Sequence, residues 1–157
     1  MTTTAPRPAS LAYQLAIFIA FVIGCLILLL GVTYVLETYF QISLENSSMG
    51  IIILMVAAMS TGTAWRQREG ATPSSGRKWT FALCAAALVL AAQITMFYAV
   101  LNANIAIMRE LAGESTAIKA IFAGGIFFFD LLIIRIGVWL GVRSAAKQAA
   151  RLAAKGR

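Results

Sequence analysis

The 157-residue chain contains no histidine, two cysteines and three prolines, and only 12% of its residues are charged. Without histidine, it lacks the most usual ligand of haem and a common ligand of zinc, and also the most common general base. The aspartates, glutamates and cysteines form no cluster with the spacing of metal ligands or of a nucleophilic site. We therefore expect no catalytic residue, no metal site and no cofactor, and we predict that the protein is not an enzyme. The low charge also excludes an ordinary water-soluble domain, in which about a quarter of the residues are charged.

Hydrophobic residues, by contrast, make up 61% of the chain and gather in four long runs. The runs cover residues 11–36, 49–65, 79–102 and 118–142. Each has about the length that a helix needs to cross the hydrocarbon core of a bilayer. Because lipid offers no hydrogen-bond partner to the backbone, the spans must satisfy their own N–H and C=O groups as helices. We predict an all-α fold, a bundle of four transmembrane helices that forms one membrane domain over residues 11–142.

The net charge of +7 is distributed unevenly along the chain. Ten of the 13 basic residues lie in segments 1–10, 66–78 and 143–157, and only Arg109 and Lys119 lie in the last of the other connections or at its edge. Cytoplasmic segments carry such an excess of lysine and arginine in multi-span proteins. We therefore expect both termini in the cytoplasm, with segment 1–10 as a disordered tail and segment 143–157 as a basic helical tail.

The C-terminal tail carries its cations at regular intervals. Arg143, Lys147, Arg151 and Lys155 recur every four residues among alanines, which places them on one face of a helix. We expect this face to contact anionic lipid headgroups, with docking of an acidic partner as the alternative. We do not expect nucleic acid as a partner, because the charges lie close to the spans and no recognised binding motif accompanies them.

Two charged residues lie well inside a span, where each costs on the order of 3 kcal/mol on insertion scales. Asp130 lies at about the depth of Gln93, whose amide is a suitable donor to a carboxylate, and Thr95 is a second donor candidate. Gly137 and Gly141 share the helix face of Asp130, and their GxxxG spacing is typical of close helix approach. Asp130 is therefore expected in a helix–helix seam, either within one chain or between two copies.

The second embedded charge is Arg135, and its position inside a span can be explained in three ways. Its side chain can extend towards the basic end of the span and contact Trp139. Alternatively, it can lean towards the N-terminus of its helix, as helical side chains do, and reach Ser60, Thr61 or an aspartate of a neighbouring subunit. The third interpretation is a role in transport.

Several short motifs resemble those of a known family. They are Trp65-Arg66-Gln67-Arg68 at the exit of the second run, Thr72-Pro73 in the turn, Arg77-Lys78-Trp79 at the entry of the third run, and the basic C-terminal tail. Together they resemble a family of small bacterial inner-membrane proteins with four helices. The resemblance implies a fold of four helices and a multi-pass location in the bacterial inner membrane. It implies no activity and no site residue. The four spans with one embedded carboxylate also resemble small multidrug exporters, but those carry a glutamate in the first span, and residues 11–36 contain no acid.

The absence of a chemical centre and the small residues in the spans favour a non-catalytic integral membrane protein. We predict an accessory or structural component of a membrane assembly, in contact with lipids and either a homo-oligomer or part of a larger complex. The alternative is a small proton- or cation-coupled transporter or channel that uses Asp130, with Gln93, Thr95, Ser60 and Thr61 along the path.

Overall fold

A computed structural model describes residues 9–41, 48–103 and 115–155 of the chain. These residues form four helices: α1 (Leu11–Phe40), α2 (Ser48–Glu69), α3 (Ser75–Ala103) and α4 (Thr116–Lys155). Within the described ranges there is no strand. Each helix is long and apolar enough to cross a membrane. The predicted all-helical fold is therefore confirmed, with four helices that are suited to span a membrane. The side on which the termini lie stays a prediction.

The helices extend beyond the apolar runs that predict them. The second run ends at Trp65, but α2 continues to Glu69 because the intervening arginines and glutamine are good helix formers. It then stops at Gly70, whose φ of 65° is in the left-handed region that favours glycine. The fourth helix continues without interruption from the apolar run through the basic segment to Lys155.

The arrangement of the helices follows from a few contacts. At one end of the bundle, Ala9 just before α1 is hydrogen-bonded to Glu69 at the end of α2, so these two helices are antiparallel. The second and fourth helices are parallel, because Met55 of α2 lies against Gly137 of α4, and Thr63, further along α2, lies against Gly141. Of all helix pairs, α2 and α4 share the most extensive contact.

The apolar core occupies one half of the bundle. Phe18, Trp65 and Phe81 from α1, α2 and α3 are each at most 1% exposed, and the Phe81 ring centroid lies 5.9 Å from that of Phe18 and 6.0 Å from that of Trp65. We call this half, where α1 begins, α2 ends and α3 begins, the loop end. In the opposite half, which we call the open end, the helices lie further apart, since none of residues 19–40 of α1 and 116–129 of α4 is buried.

Two predictions concern segments that are only partly described. Residues 1–8 of the predicted disordered tail lie outside the described residues, but Ala9 is 3% exposed and Ser10 caps α1 by accepting a hydrogen bond from the Tyr13 N–H. Ala9 and Ser10 thus pack against the start of α1, and the disorder expected of segment 1–10 stays a prediction. Most of the two connections predicted on the outer side, and the last two residues of the basic tail, also lie outside the described residues.

Candidate functional site

Asp130 is the most deeply buried charged residue that the sequence singles out, with 4% of its surface exposed. The Gln93 side chain on α3 is the polar group next to its carboxylate. Its Oδ2 atom is fully buried and has no hydrogen-bond partner among the described residues. An apolar site with one incompletely satisfied carboxylate favours either a bound proton or a bound cation.

Gly137 and Gly141 form the seam between α4 and α2 of the same chain. A Cβ at Gly137 would lie 2.7 Å from the Ala58 Cβ and 3.1 Å from the Met55 carbonyl oxygen. A Cβ at Gly141 would collide with the Met59 carbonyl oxygen and lie 2.9 Å from the Met59 carbonyl carbon. The helix backbones therefore approach as closely as the GxxxG spacing predicts, and the contact lies within one chain rather than between two copies.

Gly62 on α2 contributes to the same seam, although the sequence analysis did not single it out. A Cβ there would lie 2.5 Å from the Val138 carbonyl oxygen. Its neighbour Thr63 bridges the two helices, since its single O–H lies 3.0 Å from the Met59 oxygen and 3.3 Å from the Gly141 oxygen. The sequence contains a signal for this, because Ser60-Thr61-Gly62-Thr63 is the densest run of small and polar residues in α2.

The other hydroxyl residues of the predicted path do not converge on Asp130. Thr61 is 1% exposed and donates to the Ala57 oxygen one turn earlier in α2, at 2.8 Å. Thr95 is exposed and donates to the Ala91 oxygen of its own helix, also at 2.8 Å. Gly62, adjacent to Thr61, lies against Val138, which is about 12 Å along α4 from Asp130 at 1.5 Å per residue. Ser60 precedes Thr61 on α2, and it lines a groove beside α1.

Arg135 extends towards the loop end. Its guanidinium carbon lies 5.2 Å from the centre of the Trp79 ring, near the start of α3, and its Nε atom is buried without a hydrogen-bond partner among the described residues. The aromatic contact is therefore with Trp79 rather than with Trp139, over which Arg143 lies at 5.1 Å. This direction is the one expected of an arginine that extends out of the apolar layer, and it leads away from Asp130.

The basic tail continues α4 beyond the seam. Arg143, Lys147, Arg151 and Lys155 are all exposed, and their four-residue spacing places them on one face of a continuous helix. This geometry is compatible with contact to anionic headgroups, which stays a prediction.

An ion-pair cluster at the loop end is the feature that the sequence analysis missed. Arg77 donates to both Glu69 carboxylate oxygens, at 2.7 and 3.0 Å, and to the Ala9 carbonyl oxygen at 2.8 Å. The Ala9 N–H donates to Glu69 at 2.8 Å, and the Gln14 amide donates to the Ala9 oxygen at 3.1 Å. The cluster connects the first three helices. The sequence does contain a signal for this cluster, because Glu69 is the one acidic residue within the basic segment 66–78.

The described residues contain no group of three histidine, cysteine, aspartate or glutamate side chains placed to hold a metal ion. No protein-family model, no curated protein and no solved structure matches the chain.

Proposed function

We propose that this protein is a non-catalytic, multi-pass component of a membrane assembly in the bacterial inner membrane. The observation that carries the proposal is the packing of α1, which is the most apolar of the four helices yet buries only Gln14 and Phe18 among its 30 residues. Beyond Phe18, no residue of α1 is buried. Helix association in lipid depends on van der Waals packing, so most of the surface of this helix is available for contacts with lipid or with other chains.

One face of α1 is best suited to this contact. Ile23, Ile27, Leu30 and Tyr34 repeat at intervals of four, three and four residues and therefore lie on one side of the helix. They are 50%, 65%, 69% and 67% exposed, respectively. This face points away from the side of α1 that packs on α2, so a partner helix can reach it without disturbing the bundle.

The orientation that we propose has both termini in the cytoplasm. It is supported by the arginines at the end of α2 and the start of α3, which lie at the loop end together with the start of α1. Reporter fusions at residues 1 and 157 test this orientation, and either end reporting the opposite compartment would contradict it.

Extraction from native membranes into mild detergent tests the assembly. We expect the chain to migrate as a complex well above its own 16.8 kDa. Replacing Ile27 and Leu30 by alanine is expected to reduce it to the single chain, because two anchors of the exposed face are truncated. The matched control replaces Leu83 and Leu88 of α3, which are 46% and 44% exposed, and is expected to leave the complex intact. A wild-type protein that is extracted only as a monomer without partners would contradict the proposal.

The second candidate function is proton- or cation-coupled transport, and the incompletely hydrogen-bonded carboxylate of Asp130 favours it. Coupled flux into liposomes, measured for wild type and for Asp130→Asn, separates the two functions. A transporter loses coupled flux while its helicity is unchanged, since the amide cannot exchange the proton or bind the cation. A structural seam tolerates the amide, which can itself hydrogen-bond. Arg135→Gln serves as a second charge-removing variant at a position remote from Asp130.

A further inference from the structure

A continuous groove runs along α1 and α2. Its larger section, at the open end, has a volume of about 630 Å³ and is lined by residues such as Gly24, Cys25, Leu28 and Ile52. A second section of about 420 Å³ continues towards the loop end. The two sections share Phe21 and Val56, so they form one groove.

The chemistry of the groove changes along its length. The section at the open end is lined by apolar residues and the small thiol of Cys25. The section near the loop end presents Ser60, Thr63 and Gln67, which occupy one face of α2 at intervals of three and four residues. A Cβ at Gly24 would meet no atom within 4 Å, so the space beside it is free.

Charge follows the polar section. Arg68, one residue beyond Gln67, lies between α1 and α2, with its guanidinium carbon 3.9 Å from the centre of the Tyr13 ring. Arg77, by contrast, is already paired with Glu69. From the open end to the loop end, the groove thus offers an apolar slot and then hydroxyl and amide groups, with the cation of Arg68 beyond them.

We infer that this groove is a binding site for one phospholipid. An acyl chain fills the apolar section, the ester carbonyl oxygens accept hydrogen bonds from Ser60 and Gln67, and the phosphate lies beside Arg68. No apolar helix of a partner protein matches this sequence of chemistries, because such a helix would leave the hydroxyl and amide groups facing apolar surface. The site lies on the opposite side of α1 from the proposed assembly face, so it does not depend on that proposal.

Gly24→Leu tests the apolar section, because a leucine there fills the slot without striking the backbone. Gly124→Leu is the matched control, since that glycine on α4 also has no atom within 4 Å of its Cβ position and does not line the groove. Each protein is reloaded with phosphatidylglycerol vesicles and washed in detergent, and bound phospholipid is counted by native mass spectrometry. We expect the wild type and the control to retain one phospholipid per chain. The fraction of Gly24→Leu protein that carries a phospholipid is expected to be lower by about tenfold or more.

Gln67→Leu tests the polar section, with Thr80→Leu on the exposed face of α3 as its control. We expect Gln67→Leu to lower phospholipid retention and the control to leave it unchanged. Equal retention in Gly24→Leu and wild type, or no retention in wild type, would overturn the inference.

A measurement on the unmodified chain does not depend on the folding of a variant. A phospholipid with a photoreactive group at the end of its acyl chain is expected to label peptides 20–32 and 49–56. Uniform labelling of all four helices, as expected of bulk lipid, would overturn the site, as would capture of a protein segment in the groove.

Discussion

Replacing Gly141 by alanine is expected to weaken the seam between α2 and α4. In a helix, the change from glycine to alanine by itself is favourable by about 0.5–1 kcal/mol. At Gly141, however, the new methyl group collides with the Met59 backbone, which cannot move independently of its helix. Overpacking of this kind costs about 1–3 kcal/mol. Separation of the two helices also weakens the hydrogen bond from Thr63 to the Gly141 oxygen, with a typical value of about 0.6 kcal/mol in membranes.

Together these contributions lower the free energy of unfolding by between about 0.6 and 3 kcal/mol. The measurement is an SDS titration of the protein in mild detergent micelles, followed by circular dichroism. Gly124→Ala provides the control, because its methyl group meets nothing and only the gain in helix propensity of up to about 1 kcal/mol remains. The two variants are thus expected to change stability in opposite directions. If the Gly141→Ala variant proves as stable as the wild type, or more stable, the close approach of the two helices is refuted.

A compensating pair at the next glycine of the seam tests the same geometry. Gly137→Ala places a methyl group 2.7 Å from the Ala58 Cβ, and Ala58→Gly removes the methyl group that it meets. We therefore expect the double variant to be more stable than the sum of the two single changes predicts, with a coupling of at least about 0.5 kcal/mol. Simple additivity would mean that the two positions do not touch.

Three further variants are measured by the same titration. Thr63→Val is expected to lose about 0.6 kcal/mol with the bridging hydrogen bond, whereas Thr95→Val, whose hydroxyl bonds its own helix, is expected to lose less; the reverse order would contradict the bridge. Glu69→Gln is expected to lower the free energy of unfolding by about 1–2 kcal/mol, because a charged acceptor of three hydrogen bonds becomes neutral. The loss stays moderate because the side chain of its partner Arg77 is 41% exposed and the ion pair is partly screened by solvent. An unchanged midpoint would show that the ion pair contributes nothing to stability. Trp79→Leu is expected to lose about 0.5–2 kcal/mol with the aromatic face under Arg135, and Trp79→Phe is expected to restore part of it.

The helices could be predicted from the sequence because lipid imposes a simple condition on it. A span must be apolar over its whole length, and the four runs meet that condition without any information on tertiary contacts. The helix ends could not be predicted in this way. The length of an apolar run reflects the thickness of the bilayer, whereas the helix itself can continue beyond the run. Thus α2 continues to Glu69, well beyond the last apolar residue, and α4 continues to Lys155.

The contacts of the site could be predicted only in part. The GxxxG spacing indicates a close approach at Gly137 and Gly141, but it carries no information on the partner, which proved to be α2 of the same chain. For Arg135, the usual lean of helical side chains favours the direction of the helix N-terminus, whereas hydration of the guanidinium favours the loop end. The contact with Trp79, which depends on the fold, shows that the side chain extends towards the loop end. Glu69 was overlooked because its basic neighbours indicate topology, whereas its own role depends on a helix whose start lies 60 residues away in the sequence.

The two halves of the bundle have different physical roles. In water, the open end would collapse, because its exposed isoleucines and leucines would drive association; in lipid, the acyl chains are as apolar as leucine, and the divergence of the helices has no such cost. The free energy that holds the four helices together must therefore come mainly from the loop end, where the aromatic core and the Glu69–Arg77 ion pair lie, and from the glycine seam beside it. Substitutions in these regions are expected to lower stability. Substitutions at the open end, such as Gly24→Leu, are expected instead to change what the protein binds.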